Sequence, residues 1–334
     1  MIEALKVARA SITPCLPPLW ARTGHLQTIF GHLLPSDELV EKGVEFSVTL
    51  ENENEKIHTT YLKGETQIVV YLFHGLGGSA EATYMKRTAN IARSLGHHVF
   101  INNHRGCGAG IRLATEPYHS GRAEDLSSVI GFGREKLPNH FHIAIGFSLS
   151  ANALLLLSAK VRASVLPDAA IAVNGPIHLD RASIKLTQGL NRIYDKRFVL
   201  ELSRYIKSNR FKDAYLLKDV KTLRDFDELF TAPIGGFGER SNYYKTCSAK
   251  SHLTRIEIPV VLLTSEDDPF VDVLDYKDAK LSDSVILHIE QYGGHMGYLS
   301  RNGIGYARWL DSALSNYLLV MSQSLSGNIS SSLL

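Results

Sequence analysis

Ala144-Ile-Gly-Phe-Ser-Leu-Ser-Ala-Asn152 decides how this chain is read. A short apolar strand, His142–Ile145, runs into Gly146, then Ser148, then small residues. A helical pattern follows over Ala151–Lys160. Strand and helix nearly collide at such an elbow, so only small side chains fit around the serine. The sharp turn holds the hydroxyl out, ready to attack a carbonyl. The second glycine usual in this pattern is replaced by Ser150, which is small but carries a Cβ where none is preferred. Ser150 lies too far into the helix to be the nucleophile itself. An isolated serine here could simply cap the helix, so the reading depends on partners downstream.

Two partners occur in the required order. Gln291-Tyr-Gly-Gly-His295-Met-Gly297 follows the last expected strand and precedes the last expected helix. Two glycines let that loop bend and bring an imidazole over the sheet edge. A base is expected at this point when the chain order is serine, acid, histidine. The acid should follow the preceding strand, where Val260–Thr264 leads into Ser265-Glu-Asp-Asp-Pro-Phe270. Asp268 is the choice, because Pro269 fixes the turn immediately after it. Asp267 remains the alternative. The carboxylate must hold the imidazole and stabilise its cation.

A fourth element lies upstream. Val70-Tyr-Leu-Phe-His-Gly-Leu-Gly-Gly78 is a strand ending in His-Gly-x-Gly-Gly. Such a loop can aim a backbone N–H at a developing oxyanion. The expected donors are the amides of Leu76 and of Leu149, the residue after the nucleophile. His74 is expected to orient the loop. No Walker lysine or G-x-G-x-x-G spacing accompanies these glycines, which argues against a phosphate cradle.

Apolar, β-rich runs alternate with helical patterns along the chain and predict a mostly parallel sheet. The expected strands are Phe46–Leu50, Ile57–Leu62, Ile68–Phe73, His98–Asn102, His142–Ile145, Ala169–Val173, Val260–Thr264 and Val285–Ile289. The first two read as an antiparallel hairpin. Helices are expected at Glu81–Leu95, Arg122–Lys136 and Ile304–Val320. From Pro176 to Glu257 no strand pattern occurs, and the stretch is helical and rich in aromatics. It reads as a helical cap over the carboxyl ends of the strands, where open α/β sheets bind ligands. The expected organisation is therefore an N-terminal arm (1–40), a core (41–175 and 258–321), a cap (176–257) and a disordered Ser-rich tail (322–334).

The 334 residues carry 36 Lys and Arg against 34 Asp and Glu, a net charge of +2. This even balance gives no steering toward nucleic acid. No apolar run approaches the ~18 residues of a membrane span, and no clean signal-peptide core occurs near the start. Three widely spaced cysteines, Cys15, Cys107 and Cys247, read as reduced thiols of a cytoplasmic protein. The sequon at Asn328-Ile-Ser330 should then be inert. No cofactor is expected. A His104/Cys107/His119 metal site fits no zinc spacing.

Together these motifs resemble the α/β-hydrolase superfamily, and more narrowly its YheT-like branch, which also holds eukaryotic α/β-hydrolase-domain proteins and yeast ethyl-ester synthases. The narrower resemblance rests on His25-Leu-Gln-Thr-Ile29, Phe73-His-Gly-Leu-Gly-Gly78, Asn103-His-Arg-Gly-Cys-Gly108, Tyr118-His-Ser-Gly121, Thr231-Ala-Pro233, Asp267-Asp-Pro-Phe270 and Gly293-Gly-His-Met-Gly297. Members usually carry Gly-Tyr-Ser-Leu-Gly-Gly-Asn at the elbow, from which Gly146-Phe-Ser-Leu-Ser-Ala-Asn152 departs. The resemblance implies an α/β-hydrolase fold and cleavage of carboxylic esters without a cofactor, by Ser148, His295 and Asp268. Acyl transfer to alcohols, cleavage of amides or thioesters, and a non-catalytic binding role on the same scaffold are the rival readings. Arg105, Cys107 and His119 belong to the resembling strings, and bracing of loops is the role expected of them.

Overall fold

The computed structural model describes residues 1–51 and 54–327. Eight strands form one sheet in the order β1-β2-β4-β3-β5-β6-β7-β8. They are β1 (Val44–Thr49), β2 (Lys56–Leu62), β3 (Ile68–Phe73), β4 (His98–Asn102), β5 (Phe141–Phe147), β6 (Ala169–Val173), β7 (Val260–Ser265) and β8 (Val285–Glu290). β1 pairs antiparallel with β2, and β2 with β4. The other neighbours are parallel. β3, β4, β6 and β7 are buried along their whole length. Their near-continuous apolar runs reflect a sheet covered on both faces.

Alternation along each strand builds the two core layers. Val70 and Leu72 of β3 face one layer, while Val69, Tyr71 and Phe73 face the other. The first layer is closed by α1 (Ile2–Ser11), α3 (Thr83–Ser94) and α12 (Trp309–Leu325), through residues such as Leu5, Met85 and Leu314. The second is closed by α4 (Ala123–Lys136) and α5 (Leu149–Ser158), through Leu126, Ile130 and Leu154 to Leu157. A further helix, α2 (Gly24–Leu33), precedes the sheet.

Between β6 and β7 the described chain forms only helices and turns. These are α6 (Leu179–Leu186), α7 (Arg192–Asn209), α8 (Leu223–Phe226), a π-helical turn at Asp227–Thr231, α9 (Ala232–Ile234) and α10 (Arg240–Cys247). The short helix α11 (Val273–Lys277) follows β7.

Two expectations are corrected at the C-terminal end. The helix expected from Ile304 begins at Trp309. Ahead of it, β9 (Leu299–Asn302) and β10 (Gly305–Arg308) form a separate hairpin. Gly303, at φ +57°, opens the two-residue turn between them, and glycine at the first of the two turn positions favours such a hairpin. The tail expected to be disordered from Ser322 is helical as far as Leu325. Ser322 donates its hydroxyl to the Leu318 carbonyl (2.5 Å) and receives the His97 Nε2–H (2.8 Å), so it is built into the packing. The sequon at Asn328 lies outside the described residues.

Candidate active site

Ser148, Asp268, His295 and Leu76 all lie past the carboxyl ends of the parallel strands. They follow β5, β7, β8 and β3 respectively. Ser148 has φ +53° and ψ −116°, a backbone conformation costly for a residue with a Cβ. Gly146 explains why the turn is possible. A Cβ there would meet the Ser150 carbonyl oxygen at 2.6 Å, so only glycine lets strand and helix pass. The Ser148 side chain makes no capping bond to α5. Instead its hydroxyl donates to His295 Nε2 at 2.8 Å.

His295 Nδ1–H in turn donates to Asp268 Oδ2 at 2.8 Å. The other carboxylate oxygen of Asp268 accepts the amides of Phe270 (3.0 Å) and Val271 (2.9 Å). Asn174 Nδ2 reaches Oδ2 at 2.8 Å. Burial pushes the Asp268 pKa up, but His295 and these donors outweigh it and hold the carboxyl below its ordinary value. Asp267 points elsewhere. Its Oδ1 accepts the Gly294 amide at 2.7 Å, which ties it to the backbone of the histidine loop, and burial raises its pKa. The structure thus brings Asp268, not its neighbour, to His295.

The loop after β3 passes directly over the serine: a Cβ on Gly75 would lie 3.0 Å from the Ser148 Cβ. The Gly75 amide is bonded to the Tyr84 hydroxyl and the Gly77 amide to the Tyr118 hydroxyl, each at 2.9 Å. The Leu76 amide between them has no partner among the described residues. The Leu149 amide, at the first position of α5, likewise lacks an intrahelical acceptor.

His74 and His104 underpin this loop. His74 donates Nδ1–H to the Gly75 carbonyl (2.7 Å) and accepts the His104 amide at Nε2 (3.1 Å). These partners fix a neutral tautomer, and burial lowers its pKa far below the ordinary value. His104 Nε2 meets the Ser150 Oγ at 2.6 Å and the His74 carbonyl at 3.0 Å. Ser150 completes the set by donating its hydroxyl to the same carbonyl. The serine in place of glycine therefore has a definite bonding role.

The motifs without a derived role now acquire positions. Arg105 makes a bidentate pair with Asp125, both contacts at 2.7 Å, and reaches Glu55 at 3.1 Å, all buried. The Cys107 thiol is buried, and burial pushes its pKa up. His119 accepts the Gly121 amide at Nδ1 (3.1 Å). The string at residues 25–29 belongs to α2 and grips the histidine loop. Thr28 accepts the His295 amide at 2.8 Å. Buried Gln27 bonds the amide and the carbonyl of Leu299 at 2.6 and 2.9 Å. Gly24, Gly31, Gly294 and Gly297 sit where backbones nearly touch. The spacing of this string was a signal, but its partner segment lies more than 260 residues away.

Two cavities meet at Ser148, sharing Leu76, Phe198 and Phe270. One runs beneath the helices between β6 and β7, past Leu149, Leu202 and Phe226. The other opens between α2, the loop after β3 and α7, and includes Thr28, Arg197, Glu201 and His295. No helix among the described residues is long and apolar enough to cross a membrane.

An elbow serine, a carboxylate-held imidazole and a glycine loop at the carboxyl edge of this sheet define a class. Residues 68–301 match the family model described as alpha/beta hydrolase fold. The chain belongs to that family, in its YheT-like branch. It is 31% identical over 259 residues to YheT of Escherichia coli (strain K12), named as a candidate esterase, covering 74% of this chain and 75% of the relative. It is 24% identical over 323 residues to the Homo sapiens protein named phospholipase ABHD3, covering 91% and 78%. Among solved structures, the Pyrococcus furiosus esterase Pf2001 has the same fold, with a TM-score of 0.55, 13% identity and coverage of 87% and 99%. These relatives, named as an esterase and a phospholipase, support hydrolase activity for this chain.

Proposed function

We propose that this protein cleaves carboxylic esters through an acyl-enzyme, with Ser148 as nucleophile, His295 as base and Asp268 as its orienting acid. The observation that carries the reading is the unbroken line of two 2.8 Å hydrogen bonds from Ser148 Oγ through His295 to Asp268. In the first step Ser148 Oγ attacks the ester carbonyl as its proton passes to His295 Nε2. Charge then develops on the carbonyl oxygen. The amides of Leu76 and Leu149, with no competing partner among the described residues, supply an oxyanion hole. His295 next protonates the departing alcohol, and Asp268 stabilises the imidazolium in between. Water enters, gives its proton to His295, and releases the acid by the same route.

The helices of residues 176–257 act as a cap. The cavity beneath them takes the acyl group, since its walls near Ser148 are Leu76, Leu149, Phe198 and Leu202. The second cavity takes the alcohol part. Acyl transfer is the second reading, because a cavity through which an alcohol leaves also lets one enter. The test is a panel of activated esters of graded acyl length on wild type and Ser148→Ala, with a short alcohol added in one arm. Turnover should fall at least about 10³-fold in the variant, with substrate binding retained. Label from a fluorophosphonate should appear on wild type alone. Unchanged turnover in Ser148→Ala would overturn the assignment, and new ester exceeding free acid would favour transfer.

A further inference from the structure

Charge is spread unevenly on α7. Its inner side is fixed by Leu202 and Ile206, which are buried. At about 3.6 residues per turn, its most exposed positions then fall on one continuous arc of about 140°. Ile193 and Leu200, 64% and 58% exposed, form a ridge along the middle of that arc. Exposed Arg192, Lys196 and Lys207 lie on one side of the ridge, and exposed Arg204 on the other. Arg192 bonds the Thr187 carbonyl, and no carboxylate pairs with any of these four cations among the described residues. The two acids of the helix lie off the arc. Asp195 is buried and accepts the Leu223 amide, while Glu201 pairs with Arg197. The net charge of +2 for the whole chain therefore hides a strongly basic helix face.

This face borders the mouth of the second cavity. Arg197, at the edge of the arc, lines that cavity and donates to His32 Nε2 of α2 at 2.9 Å. Ile29 and Leu33 of α2 line the same cavity and are nevertheless 40% and 68% exposed. The acidic side chains of this cavity, Glu81 and Glu201, are paired with Lys86 and Arg197.

We infer that the outer faces of α7 and α2 dock on the surface of an anionic phospholipid bilayer. Ile193, Leu200, Ile29 and Leu33 enter the boundary between headgroups and acyl chains, and the basic side chains bond lipid phosphates. Charge complementarity and apolar contact reinforce each other in such a surface. Long basic side chains beside an apolar ridge suit it, because their stems can lie along the apolar layer while their heads stay in water. A single-stranded nucleic acid would instead require aromatic rings for its bases, and the arc carries none. The surface does not depend on the ester-hydrolase reading. If both hold, the second cavity opens beside the bilayer, and an ester dissolved there reaches Ser148 without crossing bulk water.

The experiment is co-sedimentation of the full-length protein with vesicles of phosphatidylcholine and phosphatidylglycerol in equal parts, against vesicles of phosphatidylcholine alone. At low salt the protein should pellet with the anionic vesicles only, and about 0.5 M salt should release most of it. The double variant Lys196→Glu/Lys207→Glu should weaken binding at least about tenfold. Arg255→Glu/Lys280→Glu makes the same change in net charge ahead of β7 and β8, at the opposite edge of the sheet, and should bind as wild type does. Leu200→Ser should weaken binding severalfold while leaving the salt dependence unchanged, which separates apolar contact from charge. Unchanged melting temperatures show that the variants fold. No binding to anionic vesicles, or equal loss in the two charge-reversed variants, overturns the inference. Tighter binding to heparin than to the vesicles also overturns it, in favour of a soluble polyanion. Hydrolysis of a soluble ester is measured separately, so its absence would remove the enzyme reading and leave the docking surface standing.

Discussion

The hydroxyl of Ser150 donates to the backbone carbonyl of His74, so the turn that carries Ser148 is fastened to the loop that passes over it. His104 closes the triangle by meeting both Ser150 Oγ and that same carbonyl. All three side chains are buried. The Leu76 and Leu149 amides lie on the two segments joined in this way.

Ser150→Ala removes the fastening while leaving His104 bonded to the His74 carbonyl. Turnover of an activated ester should fall about tenfold with KM little changed, because a displaced oxyanion donor acts on the transition state alone. A KM increase at constant kcat would instead place Ser150 in substrate binding.

The neighbouring aspartates should behave differently. Asp268→Asn leaves the shape but withdraws the acceptor that fixes the His295 tautomer, and about a 10⁴-fold loss of kcat accompanies that change in comparable triads. Asp267→Asn keeps an oxygen for the Gly294 amide and should cost less than about tenfold. Steady-state kinetics on both variants decide it. Comparable losses would show that the two carboxylates share the work.

Acid should destabilise the fold before it reaches ordinary carboxylate pKa values. His97, His98, His104 and His142 are held at about 4, chiefly by burial, and burial also holds His74 and His119 well below the ordinary value. In the unfolded chain each titrates near 6.5. Below that pH the unfolded state binds protons that the native state excludes, so stability falls with pH down toward 4. Asp227, raised to about 6 by burial, works in the opposite direction between 6 and the ordinary carboxylate value and offsets part of the loss. Asp268, with its lowered pKa, adds a loss only at still lower pH. Melting temperatures between pH 7.5 and 5 should therefore decline steadily. A flat profile would contradict the buried neutral histidines.

Much of the sheet was legible because its inner strands are covered on both faces and must be apolar from end to end. Ile68–Phe73, His98–Asn102 and Ala169–Val173 have the bounds their composition predicts. The elbow was legible because Gly146 and Ser148 answer to steric limits that few residues meet. What sequence left open was a matter of direction. Asp267 and Asp268 are chemically identical, and only the path of the backbone decides which one faces His295. The hairpin at 299–308 was hidden because Ala307 and Tyr306 continue the helical spacing of the residues after them. The Ser-rich end of α12 misled for a similar reason: composition does not register that His97 lies opposite Ser322.

The grip of α2 on the histidine loop has a consequence for biosynthesis. Thr28 and Gln27 are synthesised well before the segment they hold, from His295 to Leu299, since more than 260 residues separate the two. The His295 imidazole therefore takes up its place beside Ser148 with these bonds only once two segments made far apart in time have come together, so a nascent chain can finish the elbow before it gains this partner.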